Sequence, residues 1–131
     1  MLKIYVASSW KNTFYTQVVE RLRAQGYEVY DFRNPPKGAG FAWGQIAPQW
    51  AAWSVAEFRA HLAHPDAIAG YEADMGALEE ADACVLVLPC GRSAHLEAGW
   101  AAGNGTPLVL YAPEPQEPEL MYRMADALCE T

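Results

Sequence analysis

The 131-residue chain predicts a three-layer α/β domain, flavodoxin-like or Rossmann-like, with a mainly parallel sheet of four to five strands. Three observations carry that prediction. The run Ala83–Leu88 (ACVLVL) is continuously apolar, as expected of a parallel strand buried on both faces. Short strand-like runs alternate with helical segments along the whole chain, the pattern of βαβ units. Two of those helical segments end at a glycine, Gly26 and Gly105, where a left-handed cap residue belongs.

The elements follow in order. Lys3–Ala7 (KIYVA) is a β-branched, apolar run that stops at the polar pair Ser8-Ser9, and it reads as a buried strand. From Tyr15 to Gln25, Val18, Val19 and Leu22 recur at helical spacing, with Gln17, Glu20, Arg21 and Arg23 on the other side. Tyr27–Phe32 alternates as a second strand. Arg33–Trp53 concentrates proline, glycine and aromatics without a period, so a long loop or lid with short helical pieces is expected. Val55–Ala81 reads as one or two helices interrupted near the HPDA segment, where Pro65 suits a first helical turn. After Ala83–Leu88, Ser93 is expected to cap a helix running to Asn104. Leu108–Tyr111 is a further strand, Glu119–Met124 a short helix, and Asp126–Cys129 an edge strand.

Size and composition bound the function. One domain, residues 1–131, is the natural count, because two would each be too small for a good core. No apolar run approaches the roughly 20 residues of a membrane span, and the start MLKIYVASSWKN lacks the pattern of a signal peptide. A cytoplasmic protein is expected. Cys84, Cys90 and Cys129 are odd in number and lack metal-ligand spacing, so neither a disulfide framework nor a metal site is expected. The formal charge of −7 disfavours nucleic acid and anionic membranes as partners.

In doubly wound sheets ligands bind beyond the carboxyl ends of the strands, where the strand order reverses. The order 2-1-3-4-5 sets the loop Ser8, Ser9, Trp10, Lys11 and Asn12 beside the loop Cys90, Gly91, Arg92 and Ser93, and these form the expected floor of a site. Glu97 is the only acid in the stretch AHLEAGWAAGN. It cannot complete a capping box with Ser93, whose third successor is Leu96. It is read either as a helix-dipole contact or as an anionic nucleophile kept ionised by the positive helix end. Asp74 lies three and four residues from Tyr71 and Leu78, on nearly the same face as that apolar stripe, so it is either a satisfied core acid or a site residue. Two carboxylates converging on one crevice suit glycosidic-bond chemistry.

The segments KIYVASSW, Asp74–Asp82 followed by ACVLVLP, and SAHLEAGWAAGNGTPLVLY together resemble the nucleoside 2-deoxyribosyltransferase family, which includes 2′-deoxynucleoside 5′-phosphate N-hydrolases. The resemblance spans the first strand to the fourth. It implies a flavodoxin-like fold in which Glu97 is the nucleophile, Asp74 its partner, and Tyr5 a first-strand tyrosine near the sugar. It also implies a covalent deoxyribosyl-glutamate intermediate resolved by a second base or by water, no cofactor, and a homodimer or higher oligomer. Two segments depart from the family pattern. Ser8-Ser9-Trp10-Lys11-Asn12 stands in place of a Gly-Ser-hydrophobic-Arg-Gly type loop, and Gly91-Arg92-Ser93 in place of a serine- or aspartate- and glycine-rich turn.

The remaining candidates are peripheral. Phe41 and Trp43 are read either as stacking on a nucleobase or as anchors of the long loop. Lys11, Arg33 and Arg92 fall in the loops after the first three strands, so a single phosphate is compatible with the acidic balance. His95 is read as a proton shuttle or a surface histidine, and Cys90 has no base beside it in sequence. The expected partner is a small nucleoside or nucleotide, and the expected function is cleavage or transfer at its N-glycosidic bond. Two alternatives are a nucleotide-binding or sensing module without turnover, and an NAD-type N-glycosidase, although no G-x-G-x-x-G follows the first strand.

Overall fold

The computed structural model describes residues 1–36 and 40–131; Lys37, Gly38 and Ala39 of the long loop lie outside the described residues. Five strands, β1 (Lys3–Ala7), β2 (Glu28–Tyr30), β3 (Ala83–Val87), β4 (Leu108–Tyr111) and β5 (Ala127–Cys129), form one sheet. Its order is β2-β1-β3-β4-β5, every pair parallel, which is the flavodoxin-like arrangement. The order reverses between β1 and β3. That gap locates the crevice.

Register is pinned by acids just before strands. The Asp82 carboxylate accepts from the Lys3 amide at 2.7 Å, and the Asp126 carboxylate accepts from the Leu108 amide at 2.8 Å. Each clips the start of one strand to its neighbour. A one-residue slip would turn every core side chain to the other face of the sheet, so these clips matter beyond their own energy.

Four helices, α1 (Tyr15–Ala24), α2 (Val55–His61), α3 (Pro65–Glu80) and α4 (Arg92–Gly103), accompany the sheet. Helix α1 ends in Gly26 at φ 95°, and α4 in Gly105 at φ 79°. In both, the glycine amide and the next one bond back to the last turn, so the left-handed residue satisfies orphan carbonyls. One core face joins Ile4, Val6, Tyr15, Val19, Val29 and Val87 under α1. The other gathers Tyr5, Leu78, Leu86, Leu108 and Leu110 with the alanines Ala94, Ala98 and Ala101 of α4. Small residues on α4 let it lie close on the sheet.

Several expectations shift here. The second strand is three residues long rather than Tyr27–Phe32, because the chain turns at Asp31–Asn34, where Asp31 accepts from the Arg33 amide and the Asn34 side chain. Helix α4 starts two residues earlier than expected, at Arg92 rather than Ala94: Gly91 is the N-cap and Ser93, exposed, caps nothing. The segment expected as a helix over Glu119–Met124 is a 3₁₀ turn, Leu120–Met124, which the Glu119 carboxylate caps by accepting from the Met121 amide. The interruption near HPDA is real, with His64 capping α3 by accepting from the Asp66 amide and Pro65 in its first turn.

Candidate active site

Tyr5 and Tyr30 are partners in the parallel register of β1 and β2, so their side chains leave the same face of the sheet. Their rings stack, centroids 5.5 Å apart and planes 12° from parallel. Each hydroxyl then meets a carboxylate from a helix on that face. The Tyr5 hydroxyl donates to Glu97 Oε2 on α4, and the Tyr30 hydroxyl donates to Asp74 Oδ1 on α3 at 2.9 Å. Two stacked tyrosine-carboxyl pairs therefore stand side by side next to the β1–β3 switch point.

The electrostatics of the quartet are set by burial. Glu97 is pushed up to about 7, first by desolvation and then by the negative charge of Asp74, while the Tyr5 hydrogen bond pulls the other way. Asp74 is also raised, by burial, against the Tyr30 hydrogen bond. Both phenols are raised strongly, by burial first; next come the carboxylate charges, led by Glu97 for Tyr5 and by Asp74 for Tyr30. They remain hydrogen-bond donors throughout the physiological range. Burial opposes the expected effect of the helix end: Glu97 stands in the second turn of α4, away from the terminal amides, and desolvation raises its affinity for a proton.

Asp74 faces inward for a reason other than the expected one. Tyr71 is 68% exposed and belongs to no buried stripe. The inward face of α3 is instead marked by Ala67 and Leu78, seven residues before Asp74 and four after it, which are both near-integral numbers of turns. A cavity of about 170 Å³ opens on Tyr30 and Asp74 and is bounded by Phe41 and Gln45 of the long loop. Gly70 admits the Phe41 ring there: a Cβ at that position would sit 2.9 Å from the Phe41 Cβ.

The loops at the strand ends are braced by their own hydrogen bonds. Ser8 is buried and donates to the Val87 carbonyl at 2.8 Å, which staples the end of β1 to the end of β3. The Ser9 hydroxyl accepts from the Lys11 amide; Lys11 is exposed, while the half-exposed Trp10 ring packs edge-on against Phe32 and lies over Gly40. Asn12 donates to the Pro89 carbonyl at 2.9 Å and accepts from the Phe14 amide. Arg33 is committed to this loop. Its Nη2 lies 2.9–3.0 Å from the carbonyls of Ser9, Trp10 and Asn12, and the guanidinium stacks 4.5 Å from the Tyr15 ring centroid.

The other candidates lie apart from the quartet. Trp43 packs in an aromatic cluster with Phe41, Trp53 and Phe58, and Trp53 stacks flat on His61, so this part of the loop is anchored to α2. Gly91 and Arg92 line a second, larger cavity on the β4 side of α4. His95 bonds the Gly91 carbonyl and the Tyr122 hydroxyl. The Cys90 thiol is pushed up to about 12 by burial and then by the charge of Glu97, which leaves it un-ionised and poorly nucleophilic at neutral pH. No group of three His, Cys, Asp or Glu among the described residues could hold a metal ion. Tyr30 is the site residue that sequence reasoning misses. The available signal was a tyrosine third in KIYVA and third in EVY, which parallel register turns into neighbours.

No helix among the described residues is long and apolar enough to cross a membrane. No family model and no curated protein sequence matches the chain. Solved structures do. A 2-deoxyribosyltransferase from the psychrotolerant bacterium Bacillus psychrosaccharolyticus is similar with a TM-score of 0.62 at 19% identity, over 96% of this chain and 84% of that one. CMP N-glycosidase BcmB of Clostridium botulinum is similar with a TM-score of 0.55 at 14% identity, over 98% and 90%. A conserved protein of Enterococcus faecalis gives 0.52 at 16%, over 94% and 70%. At such identities the likeness is one of fold, and in fold it agrees with the resemblance carried by the sequence motifs.

Proposed function

We propose that this protein is an enzyme acting on the N-glycosidic bond of a nucleoside or nucleoside monophosphate, with Glu97 as nucleophile. The observation that carries the reading is the half-buried Glu97 carboxyl, held by Tyr5 and set beside the Tyr30–Asp74 pair. The names of two structures of the same fold, a 2-deoxyribosyltransferase and a CMP N-glycosidase, support the same chemistry.

A Glu97 oxygen attacks C1′ of the sugar, the C1′–N bond breaks, and its electron pair leaves with the base, which takes up a proton. The resulting glycosyl ester is resolved by water or by the nitrogen of a second base, which restores the carboxylate. Tyr5 fixes the attacking oxygen and favours its charged form through its hydrogen bond. Asp74, whose burial raises its affinity for a proton, orients the sugar hydroxyls or assists the departing base. With Glu97 near 7, a large ionised fraction is available at neutral pH without the cost of a permanently charged buried group.

The test is turnover. Purified protein incubated with deoxynucleosides, ribonucleosides and their 5′-monophosphates, with and without an acceptor base, is expected to release or exchange base. Glu97→Ala should lower that rate roughly a thousandfold. Equal turnover by wild type and Glu97→Ala would remove Glu97 from the chemistry. A thermal shift on adding nucleotide, with every substrate left intact, would make the protein a binding module.

A further inference from the structure

The connection between β4 and β5 carries only a five-residue 3₁₀ turn where a full helix would cover the sheet, and a cavity of about 470 Å³ remains beneath it. Its floor is Leu86, Leu108 and Leu110 of the sheet, each nearly fully buried. Its wall on α4 includes His95 and Gly99, which stand two residues before and after Glu97 and hence about 200° around the helix from it. Glu97 and Tyr5 do not line it. The volume lies within the roughly 300–1,000 Å³ of small-molecule sites, and a mostly apolar lining with a few convergent polar groups is their usual character.

Those polar groups have defined roles. His95 Nδ1 lies 2.7 Å from the Gly91 carbonyl, which only accepts, so Nδ1 carries the proton and in the neutral ring Nε2 accepts from the Tyr122 hydroxyl at 2.9 Å. The two rings lie nearly parallel, with planes 14° apart. Arg92 stands exposed at the rim and makes no ion pair among the described residues. The rim acid, Glu119, is already bonded to the Met121 amide. Met121 and Met124, 57% and 48% exposed, complete the rim with flexible apolar side chains able to fold over an occupant.

We propose that this cavity is a second ligand site, separate from the Glu97 site, that takes a small planar aromatic carboxylate, with its ring over the leucine floor beside His95 and Tyr122 and its anion on Arg92. The assignment stands without any glycosidic activity, since its readout is binding.

The probes are 1-naphthoate and its uncharged counterpart 2-naphthol, followed by amide chemical shifts of the full chain. Saturable shifts centred on His95, Gly99 and Tyr122 are expected with both. Gly99 lines the cavity and a Cβ added there meets no heavy atom within 4 Å, so Gly99→Leu is the substitution chosen to fill it. It should weaken both probes roughly tenfold or more, with an unchanged circular dichroism spectrum. Arg92→Gln, at an exposed position away from the core, should weaken naphthoate roughly fivefold and leave naphthol unchanged. Shifts centred on Tyr5 and Glu97, or undiminished binding to folded Gly99→Leu, overturn the site. An equal effect of Arg92→Gln on both probes overturns the carboxylate.

Discussion

Toward β1, helix α4 presents a carboxyl group surrounded by two tyrosines and an aspartate; toward β4 it presents His95 and Gly99 above three leucines. The first flank is held by directional bonds among groups whose protonation depends on pH. The second is held by burial and shape. One helix can serve both because its sheet-facing surface is alanine, leaving the two flanks to differ in chemistry while sharing a backbone. A partly buried polar quartet costs desolvation and gains specificity of geometry, whereas an apolar flank stabilises the fold and tolerates a void.

The contrast is broken most directly through stability. Leu110→Ala on the apolar flank should cost about 3 kcal/mol at pH 5 and at pH 8 alike. Glu97→Gln should behave differently. The folded-state value of Glu97 lies above the ordinary carboxylate range, so the native protein binds a proton that the unfolded chain releases, and stability falls as pH rises from about 4.5 to about 7. Glutamine removes that loss. It should match wild type at pH 4 and exceed it at pH 8 by on the order of 1 kcal/mol, allowing for the partial exposure of the carboxyl. Denaturant melts at these pH values measure both, and a Glu97→Gln difference from wild type that does not change with pH would mean that the carboxyl is solvated.

A smaller effect sharpens the polar side itself. Tyr5→Phe deletes the bond that favours ionised Glu97, so the acid limb of the kcat/KM profile should move upward by roughly half to one pH unit. An unmoved limb would assign that limb to another group. Smallest of all is the phosphate question. Lys11→Ala should weaken nucleotide monophosphates relative to nucleosides by up to roughly fivefold. Arg33→Ala should affect both equally, since its Nη2 is held by three backbone carbonyls of the neighbouring loop. Selectivity from Arg33 in competition assays would contradict its bracing role.

Much of this was legible in the sequence, for identifiable reasons. The ACVLVL run and the glycine-closed helices constrain topology through local rules, and the strand order follows from few strands and right-handed crossovers. Glu97 was legible because an acid alone among alanines and glycines is conspicuous. Tyr30 was not, because its meaning arises only when β2 pairs with β1 in register. Nor was the protonation of Glu97, since the dipole is readable from position on a helix while desolvation depends on what the sheet brings against it. Arg33 shows the same limit. A loop cation reads as a ligand for anions, and only the fold reveals that carbonyls of the neighbouring loop had claimed it.

The aromatic loop has a consequence for observation. Of the five tryptophans, Trp43, Trp50 and Trp53 lie within eleven residues of one another, and Trp43 and Trp53 share one cluster anchored to α2. Phe41, in edge contact with Trp43, also borders the cavity that opens on Asp74. Three of the five ultraviolet emitters therefore stand in the loop whose Phe41 borders that cavity. The chain carries its own optical gauge of that segment, readable without a label.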